Sequence, residues 1–324
     1  MVNQLSWVFF AAVCWVGLGT GVQLRADDEG SVTASLLEAI ALNAEAVRSF
    51  DVLLRHQVIR DPEPDNYSES TRYFRIRGDW DKESFLFAVA FQDSKTIDGS
   101  IESQERKWGA IVRNGEFYML GDNGLARWQK HHYRYYLSDI SMPDLRLVGL
   151  RGFPQGITPR SLGGFEELLA ALPAIRTATH ATTANGYQVN FSVPGLHTPH
   201  TGRQIWNISS QTHMPIQYIS NLENRDTGNV QMQCREEYEW EQINGVYVPT
   251  RIVGAAIDAI RVMNNGKSAG LKFFENEFTT HFHWFSVNEP LSDEDFSSSL
   301  LEQVSEFQKL VDPQLSKATS LIGL

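Results

Sequence analysis

The sequence predicts a mainly β fold with flanking helices (α+β), in which a curved antiparallel sheet forms a half-open β-barrel that helices cover. Three observations lead to this prediction. Long stretches alternate apolar and polar residues, Asn-Gly or Asp-Gly pairs separate those stretches, and an amphipathic helix lies near each end of the chain. Alternation at period two places successive side chains on opposite faces of a strand. Asn-Gly and Asp-Gly pairs favour two-residue hairpins, which join only neighbouring antiparallel strands.

The predicted elements follow a simple order along the chain. A stripe of four apolar residues at helical spacing predicts a helix as the first element, and these residues are Leu36, Ile40, Ala44 and Val47. Phe50 to Val58 then alternates at period two and predicts a strand with apolar residues on both faces. Further alternating stretches bring the expected total to about ten to twelve strands. The hairpin pairs between them are Asp98-Gly99, Asn114-Gly115, Asn123-Gly124, Asn185-Gly186, Asn244-Gly245 and Asn265-Gly266.

Two segments depart from this meander of strands. Residues 133–172 have weak periodicity and predict a central insertion of loop and short helix, which serves as a lid or binding loop or as a plain connection. Residues 292–311 predict a C-terminal helix that begins at Ser292 with acidic residues in its first turn. The apolar stripe of this helix, which includes Phe296 and Leu300, must cover an apolar surface such as a sheet face.

The first 26 residues predict a secretory signal peptide. Trp7 to Leu18 is an apolar run of twelve residues, which is too short for a membrane-spanning helix of about 20 residues but suits the apolar region of a signal. We expect cleavage after Ala26, where a polar mature chain begins. The protein is therefore expected to be exported, periplasmic or extracellular, with no stable transmembrane span after cleavage. The alternative is an uncleaved N-terminal anchor.

Composition and motifs exclude several classes of function. Lys and Arg number 28 against 39 Asp and Glu, which gives a net charge of −11, whereas a nucleic-acid binder normally carries a basic patch or stripe. Cys234 is the one cysteine that the expected cleavage leaves, so no internal disulfide is expected. The sequence contains no G-x-S-x-G, H-E-x-x-H or Walker motif, and no G-x-G-x-x-G after a strand. We therefore expect no cofactor.

His281 and His283 form the best metal candidate in the sequence. Period two places both imidazoles on one face of a predicted strand, with Glu275 and Glu277 further along that face. Zinc sites use three or four ligands, and the sequence does not identify the remaining ones. The alternative is a polar face in solvent, opposite the apolar residues of the same strand.

The most informative pattern in the chain is apolar rather than catalytic. Residues 84–91 predict a strand that carries apolar side chains on both faces, which fits a curved sheet covered by helices. A concave apolar sheet of this kind can hold a lipid or acyl chain, since burial contributes about 0.8 kcal/mol for each CH₂ group. The alternative is an ordinary filled core. The candidate residues that line such a cavity are Phe85, Phe87, Val89, Phe91, Tyr238 and Trp240.

The order of elements and two local phrases resemble a known family. The first phrase is Ile205-Trp206-Asn207-Ile208 followed by His213-Met214-Pro215, and the second is Tyr238-Glu239-Trp240 followed by Asn244-Gly245-Val246-Tyr247-Val248-Pro249. With the exported N-terminus and the helix that leads into a strand, residues 31–290 resemble the LolA/LolB-like superfamily of periplasmic lipoprotein carriers. The resemblance implies an unclosed β-barrel whose helices plug an apolar cavity, in one domain over residues 27–324. This chain is longer than the dedicated carriers, and none of their functional residues is carried over.

The leading functional hypothesis is an exported binding protein rather than an enzyme. Its half-barrel cavity would hold an apolar small molecule, a lipid or a lipidated partner such as a lipoprotein. One alternative is an envelope sensory or regulatory module that binds another protein through its acidic surface. A second alternative is an extracellular hydrolase that depends on a metal or on scattered carboxylates.

Overall fold

The computed structural model describes residues 29–60, 68–97, 100–114, 116–121, 124–128, 145–148, 179–194, 200–224, 226–264 and 267–302. The predicted signal peptide, most of the predicted insertion and residues 303–311 of the predicted C-terminal helix lie outside these ranges. Among the helices described, none is both long and apolar enough to span a bilayer.

In the part of the chain that the structure describes, thirteen strands form one hydrogen-bonded sheet, one strand more than the upper end of the expected count. The strands are β1 (Ser49–Arg60), β2 (Ser68–Asp79), β3 (Ser84–Ile97), β4 (Ser100–Arg113), β5 (Glu116–Gly121), β6 (Gly124–Trp128), β7 (Thr179–Thr183), β8 (Gly186–Pro194), β9 (His200–Ser209), β10 (Pro215–Asn224), β11 (Val230–Ile243), β12 (Val246–Asn264) and β13 (Lys267–Val287). Their order in the sheet is β6-β5-β4-β3-β2-β1-β13-β12-β11-β10-β9-β8-β7.

This order consists of two meanders that meet where β1 pairs with β13. Except for β6 and β7, which lie at the two ends of the sheet, strands that follow each other in sequence are neighbours, as short hairpins require. At one such hairpin, Asn244 and Gly245 have φ values of 48° and 85°, which is the left-handed backbone that Asn-Gly pairs adopt readily. The described pairings are antiparallel, and the sheet order ends at β6 and β7. The predicted mainly β fold with an unclosed antiparallel sheet is confirmed.

The described elements divide into two compact units. Unit 1 contains the helix α1 (Glu29–Glu45), the short 3₁₀ helix η1 (Leu145–Leu147), β7 to β10, and β11 as far as Tyr238. Unit 2 contains β1 to β6, β12, β13, the rest of β11, and the two short C-terminal helices. The single domain expected over residues 27–324 stays a prediction.

The predicted helical stripe near the N-terminus is buried as expected. Leu36, Ile40 and Ala44 lie on α1, and Val47 follows directly after it; all four side chains are buried. Within unit 1, α1 packs against β7 and η1. Burial of this stripe, rather than helix propensity, stabilises an element of this length.

The C-terminal segment differs from the prediction. Over residues 292–302 it is not one continuous helix but a 3₁₀ helix, η2 (Asp293–Phe296), followed by one turn of α-helix, α2 (Ser299–Glu302). Ser292 and Asp295 form the capping box of η2, in which the Ser292 backbone N–H donates to Asp295 Oδ2 at 2.8 Å. Ser297 is extended, and its hydroxyl accepts a hydrogen bond from the Ser299 N–H. Serine side chains compete with helical hydrogen bonding in this way, which explains the break.

Candidate ligand-binding site

One face of the sheet in unit 2 is mostly apolar, and we call it the aromatic face. Period two along each strand, combined with the antiparallel register, brings these side chains to the same side. Phe87 illustrates the arrangement, because it lies directly opposite Ile76 on β2 and Ala110 on β4. The buried apolar residues of the aromatic face are Phe50, Val52, Leu54, Ile76, Phe85, Phe87, Val89, Ala110, Val112, Phe117, Ile252, Ala256, Phe278, Phe282 and Val287.

Aromatic rings make direct contacts across the strands of this face. The rings of Phe74 and Phe87 stack with centroids 5.9 Å apart, and the edge of Phe50 meets Trp284 at 6.4 Å. Gly78 gives Phe50 its room, since a Cβ atom at position 78 would lie 2.6 Å from two atoms of the Phe50 ring. Any side chain at position 78 would therefore displace the Phe50 ring. The close packing of the face depends on having glycine at this position.

Four polar residues interrupt the aromatic face, namely His56 and Thr280, Arg72 opposite His56 on β2, and Asn276 opposite Ala256 on β12. His56 and Thr280 are both buried, and they face each other across β1 and β13 with Nδ1 and Oγ1 2.9 Å apart. Burial, with a smaller contribution from the Arg72 guanidinium, lowers the pKa of His56 to about 3. At neutral pH the imidazole is therefore uncharged and hydrogen-bonded. The polar pair adds no charge to the surface.

The opposite side of the same strands is charged, and we call it the arginine face: Asp51, Arg55, Arg75, Arg77, Arg251 and His281. Asp51 lies between two guanidinium groups, with its Oδ2 2.5 Å from Arg75 Nη2 and 2.8 Å from Arg77 Nε. The guanidinium of Arg75 also lies over the ring of Phe285, 3.8 Å from the ring centroid. Close ion pairing makes it possible to bury this carboxylate, because an unpaired charge would be costly.

The C-terminal segment covers part of this second side. Leu291, Phe296 and Leu300 pack on a cluster of residues from β3, β4 and β5, namely Leu86, Ala88, Ile111, Tyr118 and Leu120. Basic side chains fix the segment by donating to its backbone carbonyl groups, with Lys82 bonded to Leu291, Arg113 to Asp293 and Arg77 to Asp295. Residues 85–89 of β3 are consequently buried on both faces, as the sequence predicted.

Unit 1 carries a different polar group on an otherwise apolar side. Glu236 is 0% exposed, and its carboxylate accepts hydrogen bonds from the Tyr238 hydroxyl and, at 3.6 Å, from the Cys234 thiol. Burial and the neighbouring carboxylate raise the pKa of Tyr238 well above its usual value. Sequence reasoning missed Glu236 among the acidic residues of this strand. Its position, two residues from Cys234 and Tyr238, was the available signal.

The predicted lining residues do not all come together in the described structure. Phe85, Phe87 and Val89 lie side by side on the aromatic face. Phe91 belongs to the same strand, opposite Arg72 in the register, and its side chain lies outside the described part. Tyr238 is buried in unit 1, whereas Trp240 is half-buried at the start of the unit 2 part of β11. Their role in lining a cavity stays a prediction.

His281 and His283 lie on one face of β13, as period two requires. In the described part of the chain, no group of three or more His, Cys, Asp or Glu side chains is placed to hold a metal ion. Arg251 and Arg55 lie opposite His281 on the two neighbouring strands. Burial, followed by these two guanidinium groups, lowers the pKa of His281. Such positive surroundings oppose the binding of a metal cation.

Comparisons with known proteins find likenesses among solved structures only. No family model and no curated protein sequence matches the chain. A LolA superfamily protein from Nitrosomonas europaea is 13% identical, with a TM-score of 0.36, and the match covers 81% of this chain and 98% of that one.

A putative outer membrane lipoprotein-sorting protein domain from Vibrio parahaemolyticus is 9% identical, with a TM-score of 0.37 and coverage of 84% and 99%. Part of a lipovitellin structure is 10% identical, with a TM-score of 0.29 and coverage of 77% and 26%. The resemblance predicted from the sequence is thus found again among solved structures, as a likeness and not as membership of the family.

Proposed function

We propose that this chain is an exported binding protein that holds an apolar ligand, such as the acyl chain of a lipid or of a lipidated partner, against the aromatic face. The observation that carries the proposal is the continuity of this face across β1, β2, β3, β4, β5, β12 and β13. Phe85, Phe87 and Val89 lie near its middle, on β3. Apolar walls of this kind are typical of sites that take apolar ligands.

The chemistry of the face supports an uncharged ligand portion. His56 belongs to the polar pair of the aromatic face, and the low pKa of its imidazole keeps the ring neutral at physiological pH. An acyl chain therefore meets no charged imidazole there, and the charge beside His56 is the guanidinium of Arg72 on the neighbouring strand. Each CH₂ group removed from water contributes about 0.8 kcal/mol, so a chain of ten groups brings about 8 kcal/mol before the costs of association.

Binding also has a cost that follows from burial. Phe87 is 1% exposed and Val89 is 2% exposed without any ligand present. A ligand must therefore replace chain atoms that now cover the aromatic face, and part of its binding free energy is spent on that movement. We expect affinities well below those that the apolar area alone would give.

A matched pair of substitutions tests the proposal. Ala110 lies on the aromatic face opposite Phe87, whereas Ala88 lies on the other side of β3 against the C-terminal segment. Leucine at either position overfills a packed site and is expected to cost about 1–3 kcal/mol of stability. Only Ala110→Leu should weaken binding of a naphthylamine probe whose fluorescence rises in apolar surroundings. Palmitate should displace the probe from the unmodified chain.

Equal probe binding by the two variants, at temperatures where both remain folded, would contradict the proposal. If the unmodified chain did not enhance the fluorescence of the probe, the proposal would be contradicted as well, because the aromatic face would then be a packed core that admits no ligand. Thermal unfolding of both variants, followed by circular dichroism, supplies the comparison of stability.

The alternatives predicted from the sequence have less support in the described residues. The regulatory module depends on an acidic surface, and the exposed row Glu237, Glu239 and Glu241 on one side of β11 is part of that surface. Two of these carboxylates already accept from the chain's own guanidinium groups, Glu237 from Arg235 and Glu239 from Arg251. The row therefore offers a partner less unpaired negative charge than the sequence implied. The metal-dependent hydrolase depends on His281 and His283, and His281 lies between Arg55 and Arg251 on the neighbouring strands.

A further inference from the structure

Three side chains form a cationic row across the arginine face. Arg55 on β1 lies directly opposite His281 on β13, and His281 lies directly opposite Arg251 on β12. Directly opposed residues of antiparallel strands project to the same side with their Cβ atoms about 5 Å apart. The two guanidinium groups therefore flank one imidazole.

The hydrogen-bonding capacity of this row is only partly used. The Nε atoms of both Arg55 and Arg251 are buried and have no acceptor. Arg251 donates through Nη1 to Glu239 at 3.1 Å, but among the described residues Arg55 has no carboxylate partner. Buried donors without acceptors are uncommon in proteins and call for an unseen partner.

We propose that Arg55, His281 and Arg251 form a binding site for an oxyanion, a phosphate or a carboxylate group, on the side of the sheet opposite the aromatic face. Side-on contact with an arginine uses Nε together with one Nη, the paired geometry that suits these anions. The His281 ring supplies a third donor between the two arginines. The site is independent of the proposed apolar ligand, because the two lie on opposite sides of the same strands.

Glu239 is the internal competitor of this site. Its carboxylate occupies one end of the Arg251 fork, and its side chain is 56% exposed. Neutralising Glu239 should release Arg251 for the anion and tighten binding. Tyr73, His283 and Glu277 lie on the same side of the neighbouring strands, and the ion-paired group of Asp51, Arg75 and Arg77 lies further along β1 and β2.

The experiment follows the ring signals of His281 by NMR during titration of the full chain with inorganic phosphate at pH 7, with chloride at equal ionic strength as the control. We expect a saturable shift with phosphate and none with chloride. Arg55→Gln should weaken phosphate binding by about tenfold or more, because it removes one partner of a buried charge contact. Arg203→Gln removes the same charge from a half-exposed pair in unit 1 and should leave the affinity unchanged.

A gain-of-affinity variant makes the result independent of folding defects. Glu239→Gln should tighten phosphate binding several-fold, whereas Glu237→Gln, two residues earlier on the same side of β11, should not. Equal effects of these two variants, or a phosphate-induced shift that is still present in Arg55→Gln, would overturn the proposal.

A second titration with dihexanoyl phosphatidic acid below its micelle concentration distinguishes a lipid headgroup from free phosphate as the source of the anion. Tighter binding of the lipid assigns the site to a headgroup, equal binding assigns it to phosphate alone, and no shift with either ligand overturns it.

Discussion

The two sides of the unit 2 sheet are both largely buried, but they are buried by opposite means. On the aromatic face, Phe87 and Ile76 are covered by close packing, and the polar residue His56 is neutral. On the arginine face, Asp51 is buried because Arg75 and Arg77 neutralise it. Successive residues of β1, such as Asp51 and Val52, belong to these different environments. A period of two residues is enough to separate an apolar surface from an ionic one.

This comparison explains why the two sides suit different ligands. An apolar chain gains free energy by leaving water, and it meets no charge where the buried apolar side chains of the aromatic face lie. The arginine face contains guanidinium groups with unused donors. An anion can form charge-assisted hydrogen bonds with these donors, whereas an acyl chain would bury them without acceptors. Substitutions that act through volume should therefore affect one side, and substitutions that act through charge should affect the other.

The charge substitution with the largest expected effect is Asp51→Asn. It leaves Arg75 and Arg77 buried without their carboxylate, and breaking a buried pair in this way costs about 3–5 kcal/mol. Chemical denaturation should show a loss of this size. The control is Asp81→Asn, which breaks an exposed pair with Arg48 and should cost at most about 1 kcal/mol. Equal losses would mean that the buried network does not stabilise the fold.

The corresponding volume substitution is Phe87→Ala on the aromatic face. Removing this buried ring leaves a cavity, and the expected loss in the free energy of unfolding is about 3–5 kcal/mol. Leu125→Ala removes a side chain that is 41% exposed and should change stability by less than about 0.5 kcal/mol. A small loss for Phe87→Ala would show that the aromatic face is loosely packed, which would favour an open cavity.

His56 makes a pH-dependent contribution on the aromatic face. Its pKa is lowered from 6.5 to about 3 in the folded chain, so the unfolded chain binds the proton first. Stability is therefore full above pH 6.5 and declines as the pH falls toward 3, by about 2 kcal/mol between pH 7 and pH 5. The measurement is the midpoint of chemical denaturation as a function of pH. His56→Gln should remove the part of its pH dependence that His56 contributes. A flat profile for the unmodified chain would contradict a buried neutral imidazole.

The smallest predicted effect concerns the segment that covers the second side of β3. Ser292→Ala removes the hydroxyl of the η2 capping box and should cost about 1 kcal/mol. Amide hydrogen exchange should accelerate within η2 while exchange in β1 and β13 stays unchanged. Faster exchange throughout unit 2 would mean that the cap supports the whole sheet rather than the segment alone.

Much of the fold follows from periodicity that is visible in the sequence. The stripe of Leu36, Ile40 and Ala44 on α1 and the two-sided burial of residues 85–89 were both predicted and are observed. The shared face of His281 and His283 was also predicted correctly. These features depend on neighbours along the chain, which is why alternation and helical spacing suffice to predict them.

Features that depend on register between distant strands could not be predicted in this way. Asp51 and Arg75 are 24 residues apart, and only the pairing of β1 with β2 brings them together. Arg55 and Arg251 flank His281 because β13 pairs with both β1 and β12. The sequence therefore shows two histidines on one face and suggests a metal, while the register adds two arginines and changes the chemistry.

Photo-crosslinking with a diazirine-bearing palmitate tests the central claim most directly, because it reports where an acyl chain lies. We predict that saturable labelling, displaced by unmodified palmitate, falls on peptides that contain Phe85, Phe87 and Val89. Labelling confined to the exposed apolar residues Leu42 and Val230, or labelling that palmitate does not displace, would contradict the claim that the aromatic face is a binding site.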